Sequence, residues 1–229
     1  MKIRQIIREE LKDEPLQVDA NTQIFCDMDG VLVDFAVGAI ELANSIISGA
    51  YGAEFIQRSK SMRRALRDIE PGFKVQSSSD LDIPEVRNLM FAAIGFNPGK
   101  FFAGLPPLQD GLSTLWPFLM SSGRQVSLLT APVNNRRGLL APTAGDGKKA
   151  WAKEWLSPAP SEVIISPARN KPDYAITNGV PNILIDDKAS TIHAWNTVTE
   201  EAGFGRGYGI LHVTSSSAQT IQALRALGI

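Results

Sequence analysis

The apolar run Ile24-Phe25-Cys26 stops at Asp27-Met28-Asp29-Gly30 and resumes as Val31-Leu32-Val33-Asp34-Phe35. No other stretch restricts the possible fold so strongly. A β-type run cut off by Asp-x-Asp-Gly puts two carboxylates at a strand tip, on the carboxyl edge of a sheet, where open α/β sheets bind ligands. In extended backbone Met28 points away, so Asp27 and Asp29 share one side and can grip a hard cation such as Mg²⁺. Gly30 allows the sharp turn that follows. The plainer alternative is an acidic turn, since Asp and Gly are ordinary turn residues; the apolar residues after Gly30 weigh against it.

A strand of this kind needs a sheet and a core around it. With 229 residues and 44% hydrophobic content the chain can build both, as one large domain or one domain with an insert. A formal net charge of -1 offers no general field for a nucleic-acid polymer or an anionic membrane, so neither is expected as a partner. Any phosphate must be met by local groups. The lone cysteine, Cys26, excludes an internal disulfide, fits a reducing compartment and reads as core packing. No apolar run of about 18 residues and no basic-then-apolar leader is present, so the expectation is a soluble, cytoplasmic protein.

Ile3, Ile6, Ile7 and Leu11 recur at helical spacing before Pro15, an amphipathic helix over 1–15 that lies against the domain or docks elsewhere. Phe35 to Ser48 reads as a helix. From Gly49 to Gly104 the β-α punctuation is missing: Arg58 to Ile69 and Pro84 to Ile94 look helical, with Gln76 to Asp80 as a loop between them. This interval reads as a helical insertion. Beyond it strands and helices alternate. A helix from Asp110 to Ser122 precedes a strand from Arg124 to Thr130, and a Gly, Pro and Asn-rich loop leads to a helix from Lys148 to Leu156. Strands follow at Glu162 to Ser166, Asn182 to Asp187 and Tyr208 to Val213, with helices from Thr191 to Ala202 and from Ser215 to Leu227. The pattern predicts an α/β fold built on a doubly wound parallel sheet with right-handed crossovers.

Three strands thus end in polar groups: Asp27 and Asp29, Thr130, and Asp186 with Asp187. In a parallel sheet all strand ends of one polarity lie on one edge, so these side chains can converge. Acids from two strands suit Mg²⁺, which binds few carboxylates and keeps waters for substrate oxygens to replace. A carboxylate beside Mg²⁺ can attack phosphorus, and a second carboxylate two residues on can protonate the leaving oxygen and later deprotonate water. Charge on the transferred phosphoryl group also requires a donor, for which Thr130 offers a hydroxyl, and a cation, for which Lys148, Lys149, Lys171 and Lys188 compete.

Asp27-Met-Asp-Gly-Val-Leu, the strand ending at Thr130, a downstream lysine and Ile183-Leu-Ile-Asp186-Asp187 resemble the four ordered motifs of the haloacid dehalogenase superfamily of phosphohydrolases, over most of the chain. The resemblance implies a Rossmann-like core over 16–35 and 105–229 and a helical cap over 36–104. It implies Asp27 as nucleophile and Asp29 as acid/base. The metal would be held by Asp27, the backbone carbonyl of Asp29 and an acid of the fourth motif, Asp186 or Asp187. Related fourth motifs often read Gly-Asp, an alignment that favours Asp187. A closer match runs through Phe101-Phe102-x-x-Leu105-x-Pro107-Leu108-x-x-Gly111, Thr130-Ala131-Pro132, Lys148-x-x-Trp151 and Leu184-Ile-Asp-Asp187. These segments resemble the 5'(3')-deoxyribonucleotidase family, where the motif lysine stands three residues before a Trp, which selects Lys148. The family's Arg-x-Lys segment is similar to Arg169-Asn-Lys171. Two departures fall where phosphate and sugar would lie: Ala131 replaces the family's Ser, and the loop from Thr130 to Lys148 is longer.

The expected activity is therefore a Mg²⁺-dependent phosphomonoesterase whose partner is a small phosphorylated substrate, a 5'-(deoxy)nucleoside monophosphate. The alternatives are a phosphatase for a non-nucleotide phosphoester and a catalytically silent binding protein of the same fold. Phe102, Ala131, Arg136 and Lys171 are the candidate substrate contacts. Phe73, Phe96, Phe101 and Phe102 can each stack on a base, with core packing as the plainer role of any one of them. The basic run Arg58 to Arg67 reads as a solvated face and His193 and His212 as structural; a homodimer stays open as the assembly.

Overall fold

The computed structural model describes residues 18–51, 53–132, 143–205 and 207–229. The helix expected over 1–15, Arg136 and most of the loop between Thr130 and Lys148 lie outside the described residues. Five parallel strands form the main sheet in the order β3-β2-β1-β6-β7: β1 Ile24–Cys26, β2 Val126–Thr130, β3 Val163–Ile165, β6 Ile183–Asp186 and β7 Gly209–Leu211. A small antiparallel hairpin pairs β4 Ile176–Thr177 with β5 Val180–Pro181. From β1 the sheet first grows through β2 and β3; the chain then returns to the other side of β1 with β6. The reversal falls between β1 and β6, and the carboxyl ends of the strands at such a reversal are where open α/β sheets bind ligands.

Ile24, Phe25 and Cys26 of β1 are buried between two neighbours, with Ile24 level with Val126 on one side and Ile183 on the other. Such a strand tolerates no polar residue before its end, which is why it reads as a continuous apolar run. Phe25 meets Tyr174 and Trp195 edge-on, with ring centroids 5.8 and 6.0 Å apart. Trp116, Trp151 and Trp195 are fully buried, and each indole N–H donates to a carbonyl, of Pro158, Leu105 and Asn182 respectively. Large aromatic area is thereby removed from water with no orphaned donor.

Helices α1 Phe35–Ile47, α2 Ala53–Arg58, α3 Lys60–Asp68, α4 Pro84–Ile94, α5 Pro98–Ala103 and α6 Trp116–Ser121 lie between β1 and β2. Helices α7 Ala144–Trp155, α8 Ala189–Glu201 and α9 Ser217–Ala226 follow β2, β6 and β7. Within the insertion, Ile46, Met62, Ala65, Leu89 and Ala93 make a small apolar cluster of their own. The Asn44 amide clamps Val75 by accepting from its N–H and donating to its carbonyl, both at 2.9 Å. The two chain passages between insertion and sheet are tied to each other: Asp34 N–H donates to Pro106 and Leu108 N–H to Leu32. No helix among the described residues is long and apolar enough to cross a membrane.

Several expected boundaries change. The helix read from Arg58 to Ile69 runs from Lys60 to Asp68, and Ser59 sets it off from the short α2 before it, its hydroxyl capping α3 by accepting from Met62 N–H. The loop over Gln76 to Asp80 tightens into a 3₁₀ turn, Ser78–Asp82, entered through the Asp80 carboxylate, which accepts from the N–H groups of Gln76 and Ser77. The helix expected from Lys148 starts four residues earlier, at Ala144, because Thr143 and Asp146 form a capping box. The helix expected from Asp110 opens as a wide π turn over Gly111–Leu115, where a Cβ on Gly111 would stand 2.3 Å from the Val31 carbonyl.

Helix α5 carries no periodic signal and is held by packing. Gly147 of α7 lies against Gly99 of α5 so closely that a Cβ would stand 2.3 Å from the Gly99 carbonyl oxygen. Backbone cannot give way as a flexible side chain can. Gly147→Ala is expected to destabilise the protein by about 1–3 kcal/mol, the usual cost of overpacking, read as a lower urea midpoint at unchanged slope. Gly145→Ala, which meets Ile165 side-chain carbons at 3.2 and 3.3 Å, should cost less. Equal midpoints for the two variants would contradict the backbone contact.

Candidate active site

Strands β1 and β6 are joined at their ends by Asp27 N–H donating to Ile185 O at 2.8 Å. Beyond that bond the acids meet: oxygens of Asp27, Asp186 and Asp187 lie within 4.8 Å of one another. Lys171, only 2% exposed, comes from the 3₁₀ turn Ala168–Tyr174 and places its Nζ 2.9 Å from Asp27 Oδ2 and 2.7 Å from Asp186 Oδ2. The remaining oxygens are anchored by backbone: Asp27 Oδ1 accepts from Met28 N–H and Asp186 Oδ1 from Lys188 N–H, both at 2.8 Å. Asp187 reaches in over Gly30, whose φ is +77° and where a Cβ would stand 2.2 Å from Asp187 Oδ2. Gly30 thus serves both the turn and the approach of this third acid.

A second cluster adjoins the first. Lys148, on α7 and 1% exposed, donates to Asp29 Oδ2 at 2.6 Å and to Thr130 Oγ1 at 2.7 Å. The same Nζ stands 4.8 Å from the centroid of the Phe102 ring. Strand β1 ends at Cys26, and the N–H groups of Val31, Leu32 and Val33 turn back to the Met28 carbonyl. Extended alternation therefore does not govern Asp29. The expectation that the Asp27 and Asp29 side chains flank one cation is corrected: the Asp29 carboxylate pairs with Lys148, while the acid triad is completed by Asp186 and Asp187.

Among the described residues four carboxylates face two ammonium groups here, a formal excess that one divalent cation would cancel. Burial raises the Asp29 carboxyl above its ordinary range and neighbouring Asp27 adds to this, against the pull of Lys148. Burial followed by Asp27 also raises Asp186. Burial, then Asp27 and Asp186, push Asp187 up to about 6. Burial alone would lower Lys171, but Asp27 and Asp186 outweigh it and hold the ammonium above its usual range. Asp29 Oδ1 is buried and has no hydrogen-bond partner among the described residues. An all-oxygen cluster whose acids resist ionising together fits a hard divalent ion such as Mg²⁺.

The lysines that compete in the sequence separate by burial: Lys148 and Lys171 are buried at the acids, whereas Lys149 and Lys188 are exposed. Lys171 does not stand out among substrate-side groups, as the Arg-x-Lys resemblance implies; it lies between the acids themselves. Phe102 is 1% exposed, with its ring against Lys148, Phe35 and Phe101, so base stacking on Phe102 is excluded in this arrangement. Phe73, Phe96 and Phe101 are half-buried, and Ala131 is half-buried beside Thr130. Arg58, Arg63, Arg64 and Arg67 form an exposed face. His212 is buried and bonded to Thr220, away from the acids' side chains, and His193 is exposed. Thr214, absent from the sequence reading, donates to the Gly30 carbonyl at 3.2 Å and joins the loop after β7 to the acidic turn. Its only signal is its place just past a strand end.

No family model matches the chain, and no curated protein does. Among solved structures, a hydrolase from Streptococcus pneumoniae TIGR4 is similar at a TM-score of 0.45 and 16% identity, over 90% of this chain and 100% of that one. A haloacid dehalogenase-like family protein from Streptococcus pneumoniae is similar at 0.47 and 15% identity, over 90% and 99% of the two chains. A beta-phosphoglucomutase from Clostridium difficile is similar at 0.38 and 14% identity, over 92% and 98%.

Proposed function

We propose that this chain is a Mg²⁺-dependent phosphomonoesterase of the haloacid dehalogenase type, and that 5'-(deoxy)nucleoside monophosphates are its substrates. The observation that carries the chemistry is the pairing of two clusters on one sheet edge: Asp27, Asp186 and Asp187 around Lys171, and Asp29 with Thr130 on Lys148. The substrate class rests on the sequence resemblance through Phe101 to Gly111, Thr130 to Pro132 and Lys148 to Trp151.

Asp27, Asp187 and Asp186, with the backbone carbonyl of Asp29, are the groups that would hold Mg²⁺. When bound, the ion neutralises phosphate oxygens and offsets the charge of the gathered acids. In the reaction an Asp27 carboxylate oxygen attacks phosphorus, the ester P–O bond breaks, and the leaving oxygen takes a proton from Asp29. Burial raises the Asp29 carboxyl, so it keeps a proton more readily than an ordinary aspartate, and Lys148 holds it in place through Oδ2. Asp29 then removes a proton from water, which attacks the aspartyl-phosphate, releases phosphate and restores Asp27. Lys148 and Thr130 fix Asp29, and Lys171 stabilises the ionised Asp27. The helices of 36–104 serve as a cap that keeps bulk water out during these steps.

A second reading keeps the chemistry and replaces the nucleotide with a small non-nucleotide phosphoester. The burial of Phe102 favours it, since it removes one ring from those available to a base.

Phosphate release from a panel of nucleoside monophosphates and sugar phosphates, with Mg²⁺ and with a chelator, is expected to be metal-dependent and greatest for nucleotides. Preference for the sugar phosphates would move the substrate to the second reading, and no release from any of them would leave a silent binding protein. Asp27→Asn should lower kcat by about 10⁴-fold or more while circular dichroism stays unchanged; near-normal turnover would remove Asp27 as nucleophile. The Asp187 carboxyl, lifted from 3.8 to about 6, favours the fold below pH 4 and loses that contribution as pH rises through 6. The metal-free Asp187→Asn variant should therefore lose less melting temperature between pH 5 and pH 7 than the natural protein does, and Mg²⁺ should narrow the difference. Identical pH dependence of Tm in the variant and the natural protein would contradict the charge crowding.

A further inference from the structure

An ammonium group carries three N–H donors, and at Lys148 two of them have acceptors, Asp29 Oδ2 and Thr130 Oγ1. The group is sealed from water, and the Phe102 ring lies 4.8 Å from Nζ. An aromatic face carries negative charge density and attracts a cation most strongly where both are desolvated. The ring is itself held in place: it meets Phe101 edge-on at 5.1 Å and Phe35 at 6.4 Å. Its helix, α5, is pressed on the helix of Lys148 through Gly99 and Gly147. The ring and the ammonium therefore sit at a fixed distance set by backbone contact.

We infer that Phe102 is a positioning residue whose π face holds the Lys148 ammonium on Asp29 and Thr130, and so orients the Asp29 carboxyl. This deepens the phosphomonoesterase reading, on which its consequence for turnover rests, and replaces base stacking as the role of Phe102. Leucine at this position would fill much of the space and leave one face of the ammonium against hydrocarbon. The lysine would then swing or admit water, and Asp29 would lose its fixed partner.

The test uses the full chain with ¹⁵N-labelled lysine and a series in which Phe102 is replaced by mono-, di- and trifluorinated phenylalanine. Fluorine drains the ring face of charge and changes its shape little. The Lys148 ammonium resonance should be protected from exchange with water in the natural protein, exchange faster with each added fluorine and broaden away in Phe102→Leu, while Tm across the fluorinated series stays level. In parallel kcat should fall stepwise, to about tenfold below the natural value in Phe102→Leu, with KM nearly constant. Ammonium exchange that ignores the fluorine series overturns the inference, as does a kcat that ignores it in an active enzyme. Absence of phosphate release from the natural protein would refute the proposed activity, and the ammonium exchange would still decide the role of Phe102. Should Phe102→Leu fail to fold, the fluorinated series settles the question alone.

Discussion

Like charges brought together repel, and the organisation of this protein follows from how that repulsion is contained. Asp27, Asp186 and Asp187 approach within 4.8 Å, and Asp29 follows Asp27 by two residues. Among the described residues two buried ammonium groups answer them, both supplied from outside the strands that carry the acids. Lys171 spans the gap between β1 and β6 by bonding to an acid from each, and Lys148 ties Asp29 to the end of β2 through Thr130. A lysine buried without partners would shed its proton, so the acids keep the lysines charged as much as the lysines hold the acids.

The parallel sheet makes this arrangement geometrically possible. Parallel register brings Cys26 level with Leu128 on one side and Ile185 on the other, so the residues just past those positions emerge on one rim. The three strands need only end in polar residues for the rim to become acidic and hydroxylic. Glycines provide what strands cannot: Gly30 lets Asp187 lie across the turn, and Gly111 lets the π turn press on the backbone at Val31.

Much of this is legible in the sequence because it rests on abrupt transitions. Ile24 to Asp27, Leu129 to Thr130 and Ile185 to Asp186 each pass from apolar to polar in one step, and a buried strand end is the simplest cause. Pro84 marks the start of α4, and the helix ends at Ile94 as its apolar spacing requires. Features set by tertiary contact are less legible. The six-residue helix α2, which ends just before Ser59, is too short for its spacing to announce it. Lys171 lies in a short turn containing Pro172, without periodicity to show which way it points. Phe102 belongs to a six-residue helix, too short for its pattern to reveal a buried face, and its orientation follows from the Gly99–Gly147 contact across 48 positions of chain. The Thr143 and Asp146 capping box is a local signal that does place the start of α7, and with it Lys148.

That last helix shows why the insertion and the sheet are not independent at the site. Helix α5 is the final helix of the interval assigned to a cap, yet its backbone meets α7, and the Trp151 indole reaches back to donate to the Leu105 carbonyl just after it. Asp34 with Pro106 and Leu32 with Leu108 bind the two connecting passages to each other. Displacing α5 would pull on the helix that carries Lys148, and the ion pair with Asp29 would feel the strain. Helices α3 and α4 pack with α1 around Met62 and Leu89, and α4 also joins the main core through Val86, Met90 and Ile94. The insertion is therefore joined to the main core through both α4 and α5, and of the two it is α5 that presses its backbone on the helix carrying Lys148.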